Sequence, residues 1–269
     1  MPLLQLVLVA VIQGLTEFLP ISSSGHLILL PGLTGLQDQG QLIDVAVHVG
    51  TLFAVVLYFR TDVIEVLIGL GRLARGKSDT RGARVALGLI IATLPVIVVG
   101  FILHETGIDQ HLRSVAVIGW TMLIFGLVLY WADQRGTTGK TIDDWRLSDA
   151  IKMGLWQAVA LIPGTSRSGI TITGGRQLGY SREEAARIAM LMSIPTILAS
   201  GALLGLDVVG EGDWSLAQDA LLAAVLAFGA ALLALAVMMR LTRKISFTPY
   251  VIYRLILGTG LLIYAYGYL

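Results

Sequence analysis

Between Val85 and Leu103 the chain reads VALGLIIATLPVIVVGFIL, and between Val115 and Ala132 it reads VAVIGWTMLIFGLVLYWA, with no charged side chain in either run. A helix needs about 20 apolar residues to cross the roughly 30 Å of hydrocarbon in a bilayer, and a soluble helix of that length would show a polar face. These runs predict membrane spans. Further apolar segments at Leu42–Phe59, Ala186–Leu206, Ala220–Met239 and Val251–Leu269 bring the expected spans to six. The composition points the same way, with 55% of 269 residues hydrophobic and 14% charged. The expected fold class is an all-α polytopic membrane protein forming a single membrane domain over residues 1–269.

Two more segments, Leu3–Leu30 and Ser148–Leu178, are largely apolar but are broken midway by Pro20-Ile-Ser-Ser-Ser-Gly25 and Pro163-Gly-Thr-Ser-Arg-Ser-Gly169. Proline and glycine interrupt a helix, and unwound backbone at membrane depth survives only where protein or a wet cavity satisfies its polar groups. Each segment is therefore expected to form a re-entrant helix-loop-helix hairpin. At an offset of 144 residues, Gln13 falls on Gln157, Ser24 on Ser168 and Gly25 on Gly169. This weak repeat divides the chain into halves at about 1–135 and 145–269, each with one hairpin and three spans. An odd number of crossings inverts the second half, and the two broken loops should then meet near the midplane.

Charge placement gives an orientation, because cytoplasmic loops collect Lys and Arg. If Phe59 ends a span on the inside, 17 of the 19 basic residues fall in inner segments, Arg254 among them, and only Arg113 falls outside. Asp207, Glu211 and Asp213 then share an outer loop, and both termini lie outside. Arg167 belongs to neither side, since it sits in the second broken loop. The N-terminus lacks the basic region and cleavage site of a signal peptide, so the first apolar segment is expected to be retained. The chain has no cysteine, which excludes disulfides and thiolate chemistry, and a net charge of +1 gives no support to a nucleic-acid partner.

Between Met1 and Leu36 the only ionisable side chains are Glu17 and His26. Such groups are costly in a membrane and are read as functional by default. Gln13 lies four residues before Glu17, on the same helix face. Ser22-Ser23-Ser24 precedes Gly25-His26, and a serine-rich loop at a helix N-terminus is an anion site, although one of the three could serve only as a cap. In the second loop, Gly164 and Gly169 let backbone amides approach a ligand. Thr165, Ser166 and Ser168 supply hydroxyls there, and Arg167 offers a planar fork suited to phosphate. The plainer alternative is a structural Glu17–Arg167 pair. Asp44 and His48, one turn apart, are candidates for the same cavity, or equally for a satisfied buried pair. The tyrosines from Tyr250 to Tyr268 resemble an interfacial belt. A carboxylate able to hold a divalent cation, hydroxyls, an imidazole and an Arg fork together suit phosphoryl transfer, whose transition state is mainly positioned and neutralised.

These residues resemble the undecaprenyl-pyrophosphate phosphatases of bacteria, the bacitracin-resistance type. The family's (E/Q)xxxE segment and its P-x-S-S-x-G-H stretch are matched by Gln13, Glu17, Pro20, Ser22, Ser23, Gly25 and His26. Its P-G-x-S-R-S-G motif is matched by Pro163, Gly164, Ser166, Arg167, Ser168 and Gly169. The resemblance implies hydrolysis of undecaprenyl diphosphate to undecaprenyl phosphate and inorganic phosphate in the bacterial inner membrane, at a site facing the periplasm. It also implies a divalent cation, Mg²⁺ or Ca²⁺, expected on Glu17 with Gln13 as a further oxygen. Glu17, Ser23, His26 and Arg167 become the expected catalytic residues; the weakly basic leaving anion favours Ser23 attacking with His26 as its base, and direct attack by His26 is the runner-up. Ser22, Ser24, Gly164, Thr165, Ser166, Ser168 and Gly169 are the expected phosphate binders. The expected partners are undecaprenyl diphosphate and membrane lipids, with a homodimer left open. The phosphatidic-acid phosphatase pattern SR-x5-H-x3-D is excluded, because Thr173 and Gln177 stand at its last two positions. A non-catalytic lipid-phosphate transporter or flippase is the alternative that the repeat would also suit.

Overall fold

The protein is described by a computed structural model, in which residues 1–35, 39–108, 112, 114–208 and 214–267 are placed. Arg113, Glu211 and Asp213 lie outside the described residues, as does the side chain of Asp207. The described residues are helical, with α1 (Leu3–Glu17), α2 (Ser23–Thr34), α3 (Gln41–Tyr58), α4 (Arg60–Leu73), α5 (Arg81–Thr106), α6 (Val115–Arg135), α7 (Leu147–Val159), α8 (Arg167–Gln177), α9 (Arg182–Val208), α10 (Trp214–Thr242) and α11 (Thr248–Ala265). A 3₁₀ turn, Ile142–Asp144, precedes α7. Among them α3, α5, α6, α9, α10 and α11 are long and apolar enough to cross a membrane, which gives the six spans expected from the sequence.

Local chemistry sets the ends of these helices. Thr80 caps α5 by accepting the Ala83 amide at 3.3 Å, so the helix starts four residues before its uncharged run. Ser114 caps α6 through the Val117 amide at 3.2 Å. One element, α4, was not anticipated. Its Ile64, Leu67 and Ile68 are exposed on one side, while Asp62 is buried on another. At 14 residues it is too short to span, and its charges hide it from a search for uncharged runs.

Packing follows small residues. Helices α1 and α3 lie along α10, α7 lies along α5, and α6 lies along α11. At Gly50 a Cβ would fall 2.2 Å from the Ala224 carbonyl oxygen, so only glycine lets α3 approach α10 this closely. Membrane helices associate through such close contacts because lipid offers no hydrophobic drive between them. The opposite surfaces carry exposed Phe53, Leu94, Phe101, Leu127, Leu221 and Ile256, which suit hydrocarbon and not water.

A polar cluster ties several helix ends together. Buried Asp133 accepts from Arg176 Nε at 3.1 Å, Arg182 Nε at 2.7 Å and the Phe247 amide at 3.1 Å, joining α6 to α8, α9 and α11. Arg187 Nη2 and Arg81 Nη2 both reach Asp62 Oδ1, at 2.6 and 3.5 Å, which fastens α4 to α5 and α9.

Leu3–Leu30 and Ser148–Leu178 each fold as two helices around a turn, with α1 packed on α2 and α7 on α8. These two turns build the site.

Candidate active site

Each turn ends on a serine with an unusual backbone. Ser22 and Ser166 have φ of +73° and +70°, and they are the only non-glycine residues among those described with positive φ. Such a conformation costs about 1–3 kcal/mol and persists only where the surroundings impose it. The two residues stand 144 positions apart, and their contacts match. Ser22 Oγ accepts the Gly25 amide at 3.3 Å and lies 3.2 Å from Ser24 Oγ. Ser166 Oγ accepts the Gly169 amide at 3.2 Å and lies 3.1 Å from Ser168 Oγ. Both serines are thus spent as caps of α2 and α8, which narrows the hydroxyls expected to face phosphate.

The turns are bound to each other. Ser168 Oγ donates to the Leu19 carbonyl at 2.9 Å, so its hydrogen also serves the fold. Thr121 Oγ1 on α6 donates to the Pro163 carbonyl at 2.6 Å. Gly164 sits against it with φ of +84°, and a Cβ there would come within 2.3 Å of Thr121 Oγ1.

Arg254 holds both turns at once. Its Nη1 donates to the carbonyls of Thr165 at 2.9 Å and Pro20 at 3.4 Å, its Nη2 to Gly164 at 3.1 Å and Thr121 at 3.3 Å, and its Nε to Met122 at 3.2 Å. It is fully buried, and no carboxylate pairs with it among the described residues. The charge tally counts it in an inner segment; in the structure it is buried against the two turns. Its position inside an apolar span was the available signal, since an ionisable group there is expensive and needs a purpose.

Glu17 is the centre of the polar contacts. Its Oε1 accepts from Arg167 Nη2 at 2.7 Å, and its Oε2 accepts from Ser23 Oγ at 2.7 Å and from Gln13 Nε2 at 2.9 Å. His48 Nε2 lies 4.0 Å from Oε2. The sequence puts Gln13 and Glu17 on one helix face and leaves a Glu17–Arg167 pair as the plainer alternative to a ligand site; in the structure both contacts form. His48 also reaches the site, but its Nδ1 bonds the Asp44 backbone carbonyl at 2.7 Å, while the Asp44 carboxylate accepts from Gln39 at 2.8 Å.

The expected Ser23–His26 pair is not formed. His26 Nδ1 lies 2.6 Å from the Ser22 carbonyl oxygen and Nε2 lies 2.6 Å from Tyr253 Oη, so both ring nitrogens are engaged away from Ser23. Three residues on one helix turn do not converge here because α2 begins at Ser23 and the ring turns back toward Ser22. Ser23 has Glu17 as its acceptor instead. Tyr253, which the sequence reads only as part of an interfacial belt, thus also contacts the site.

Five buried side-chain polar atoms among the described residues have no partner, and three belong to this site: Gln13 Oε1, Thr165 Oγ1 and Arg167 Nη1. Buried polar groups are nearly always satisfied, so such a concentration marks a place for a ligand. The open atoms offer a cation's fork and a hydroxyl to an anion, and an amide oxygen to a metal. Among the described residues no three His, Asp or Glu side chains group to hold a metal. One carboxylate with an amide oxygen nonetheless fits a hard cation of the Mg²⁺ type, which commonly takes one or two carboxylates and completes its shell with phosphate oxygens and water.

Comparison with known proteins identifies the family. The family model described as "Bacitracin resistance protein BacA" matches residues 6–260. The chain is 70% identical over 267 residues to an undecaprenyl-diphosphatase of Dinoroseobacter shibae, covering 99% of this chain and 100% of that protein. It is 67% identical over 267 residues to one from a Ruegeria species, with the same coverage. It is 48% identical over 262 residues to one from Chromohalobacter salexigens, covering 97% and 98%. Over almost its whole length, both turns included, the chain belongs to the BacA family of bacitracin-resistance proteins.

Proposed function

We propose that this protein hydrolyses undecaprenyl diphosphate to undecaprenyl phosphate and inorganic phosphate, returning a lipid carrier to cell-wall synthesis. The observation that carries the reading is the chain Ser23–Glu17–Arg167, in which a hydroxyl donates to a buried carboxylate whose other oxygen holds a guanidinium with one nitrogen, Nη1, still open. A nucleophile, its base and an anion-binding fork stand in hydrogen-bonding reach of one another. The relatives' names agree on the substrate.

In this mechanism Arg167 Nη1 and the Thr165 hydroxyl bind the terminal phosphate, and Arg167 neutralises charge that develops on it. Glu17 takes the Ser23 proton as Ser23 Oγ bonds to the terminal phosphorus. The bond from that phosphorus to the bridging oxygen breaks, and undecaprenyl phosphate leaves. Water then attacks the phosphoserine, the bond from phosphorus to Ser23 Oγ breaks, inorganic phosphate leaves with the protons of the water, and Glu17 returns its proton to Ser23 Oγ. A divalent cation held by Glu17 and the Gln13 amide oxygen would supply additional positive charge to the phosphate oxygens.

The two helix-turn-helix segments are re-entrant in this reading, and the matching Ser22 and Ser166 turns descend from an inverted repeat of about 1–135 and 145–269. The site then opens to the periplasmic side of the inner membrane, which suits a substrate whose tail stays in the bilayer while its diphosphate meets water. The test is inorganic phosphate release from undecaprenyl diphosphate by purified protein in detergent, with and without Mg²⁺ or Ca²⁺. Release of phosphate and lipid monophosphate in equal amounts supports hydrolysis. A transporter without catalysis would release none.

A further inference from the structure

Both ring nitrogens of His26 are engaged. The Ser22 carbonyl, 2.6 Å from Nδ1, only accepts, so Nδ1 must carry a proton. In the neutral ring Nε2 then keeps its lone pair, and the group 2.6 Å away that can donate to it is the Tyr253 hydroxyl. The two rings also stack, with centroids 5.7 Å apart and planes 8° from parallel. Contact through both the ring face and the ring nitrogen fixes orientation as well as tautomer. Tyr253 is 42% exposed, so its hydroxyl is not held there by burial.

We propose that Tyr253 is a positioning residue for His26, holding the imidazole in the Nδ1–H form with its Nε2 lone pair pinned in one direction at the edge of the phosphate site. The proposal rests on the proposed function and on the place of His26 in the first turn of α2, three residues after Ser23. The charged groups on the elements around it are Glu17 at the end of α1, Arg167 at the start of α8 and Arg254 on α11, and none of them is a hydrogen-bond partner of the ring. Among the described residues, the Tyr253 hydroxyl is the partner that Nε2 meets.

The test uses full-length protein with ¹⁵N-labelled histidine at neutral pH, with the His26 signals assigned by their loss in His26→Asn. The wild type should show a protonated Nδ1 and an unprotonated, hydrogen-bonded Nε2. Tyr253→Phe keeps the stacking ring and removes only the hydroxyl. The Nε2 signal should then move, kcat for phosphate release should fall about tenfold, the order of one lost hydrogen bond, and KM should stay within about twofold. A wild-type ring protonated on Nε2 overturns the proposal before any variant is made. An Nε2 signal that Tyr253→Phe leaves in place overturns it too, as does a loss expressed in KM, which would make Tyr253 a ligand contact. Absence of phosphate release from the wild type would sink the proposed function, and the spectra would still decide the role of Tyr253.

Discussion

Glu17 accepts three hydrogen bonds inside the protein, and the groups that donate them are the ones whose chemistry the site needs. Replacing it with Gln keeps the shape but removes the base for Ser23 and the countercharge for Arg167. Phosphate release should fall by at least about 100-fold, the usual contribution of a positioned base. Activity within tenfold of wild type would show that Glu17 serves the fold alone. Arg167→Lys retains the charge but cannot reach Glu17 and a phosphate oxygen together, so kcat should drop by about 10–100-fold in the same assay. The serines separate by role. Ser22→Ala removes a cap and should cost about 1 kcal/mol of stability, seen as a lower melting temperature. Ser23→Ala should leave melting nearly unchanged and abolish turnover.

At the scale of elements, Arg254 binds both turns, and Asp133 ties the ends of α6, α8, α9 and α11 into a frame. Arg254→Met keeps much of the apolar stem but orphans the carbonyls of Gly164, Thr165 and Pro20. It should lower the melting temperature and also reduce turnover, because Arg167 and Glu17 sit on the two turns it joins. Full turnover with only the melting shift would show that the turns hold their places without it. Tyr180, between α8 and α9, offers a pH-dependent check on the frame. Its hydroxyl donates to Asp149 Oδ2 at 2.7 Å, and Lys140 Nζ lies 3.2 Å from the same oxygen. Burial first, and then the Asp149 bond, push the Tyr180 hydroxyl above its ordinary value of 10.0. The neutral form is the one the fold favours, so its contribution is fully present below about pH 10 and is lost as pH rises beyond it. The wild type should lose melting temperature above pH 10 more steeply than Tyr180→Phe; parallel curves would refute the linkage.

For the whole molecule, the proposed orientation can be read with single thiols, because the chain has no cysteine. Gln41, at the start of α3, and Arg75, just after α4, are both exposed. A membrane-impermeant thiol reagent on intact spheroplasts should label Gln41→Cys and spare Arg75→Cys. The opposite pattern would turn the site toward the cytoplasm.

Bilayer thickness and the cost of charge in hydrocarbon act on short stretches of chain, so the sequence by itself determined the spans, the broken segments and the shared helix face of Gln13 and Glu17. It missed α4, whose charges mask its apolar side. It also left out the contacts of Arg254 and Tyr253, whose partners lie 89 and 227 residues away in the chain. Likewise it paired Ser23 with His26 from their spacing, whereas the left-handed turn at Ser22 directs the ring to the Ser22 carbonyl and to α11. Spacing along one helix fixes which side chains share a face. Which hydrogen-bond partner each takes depends on helices brought alongside by packing, and that only the tertiary structure decided.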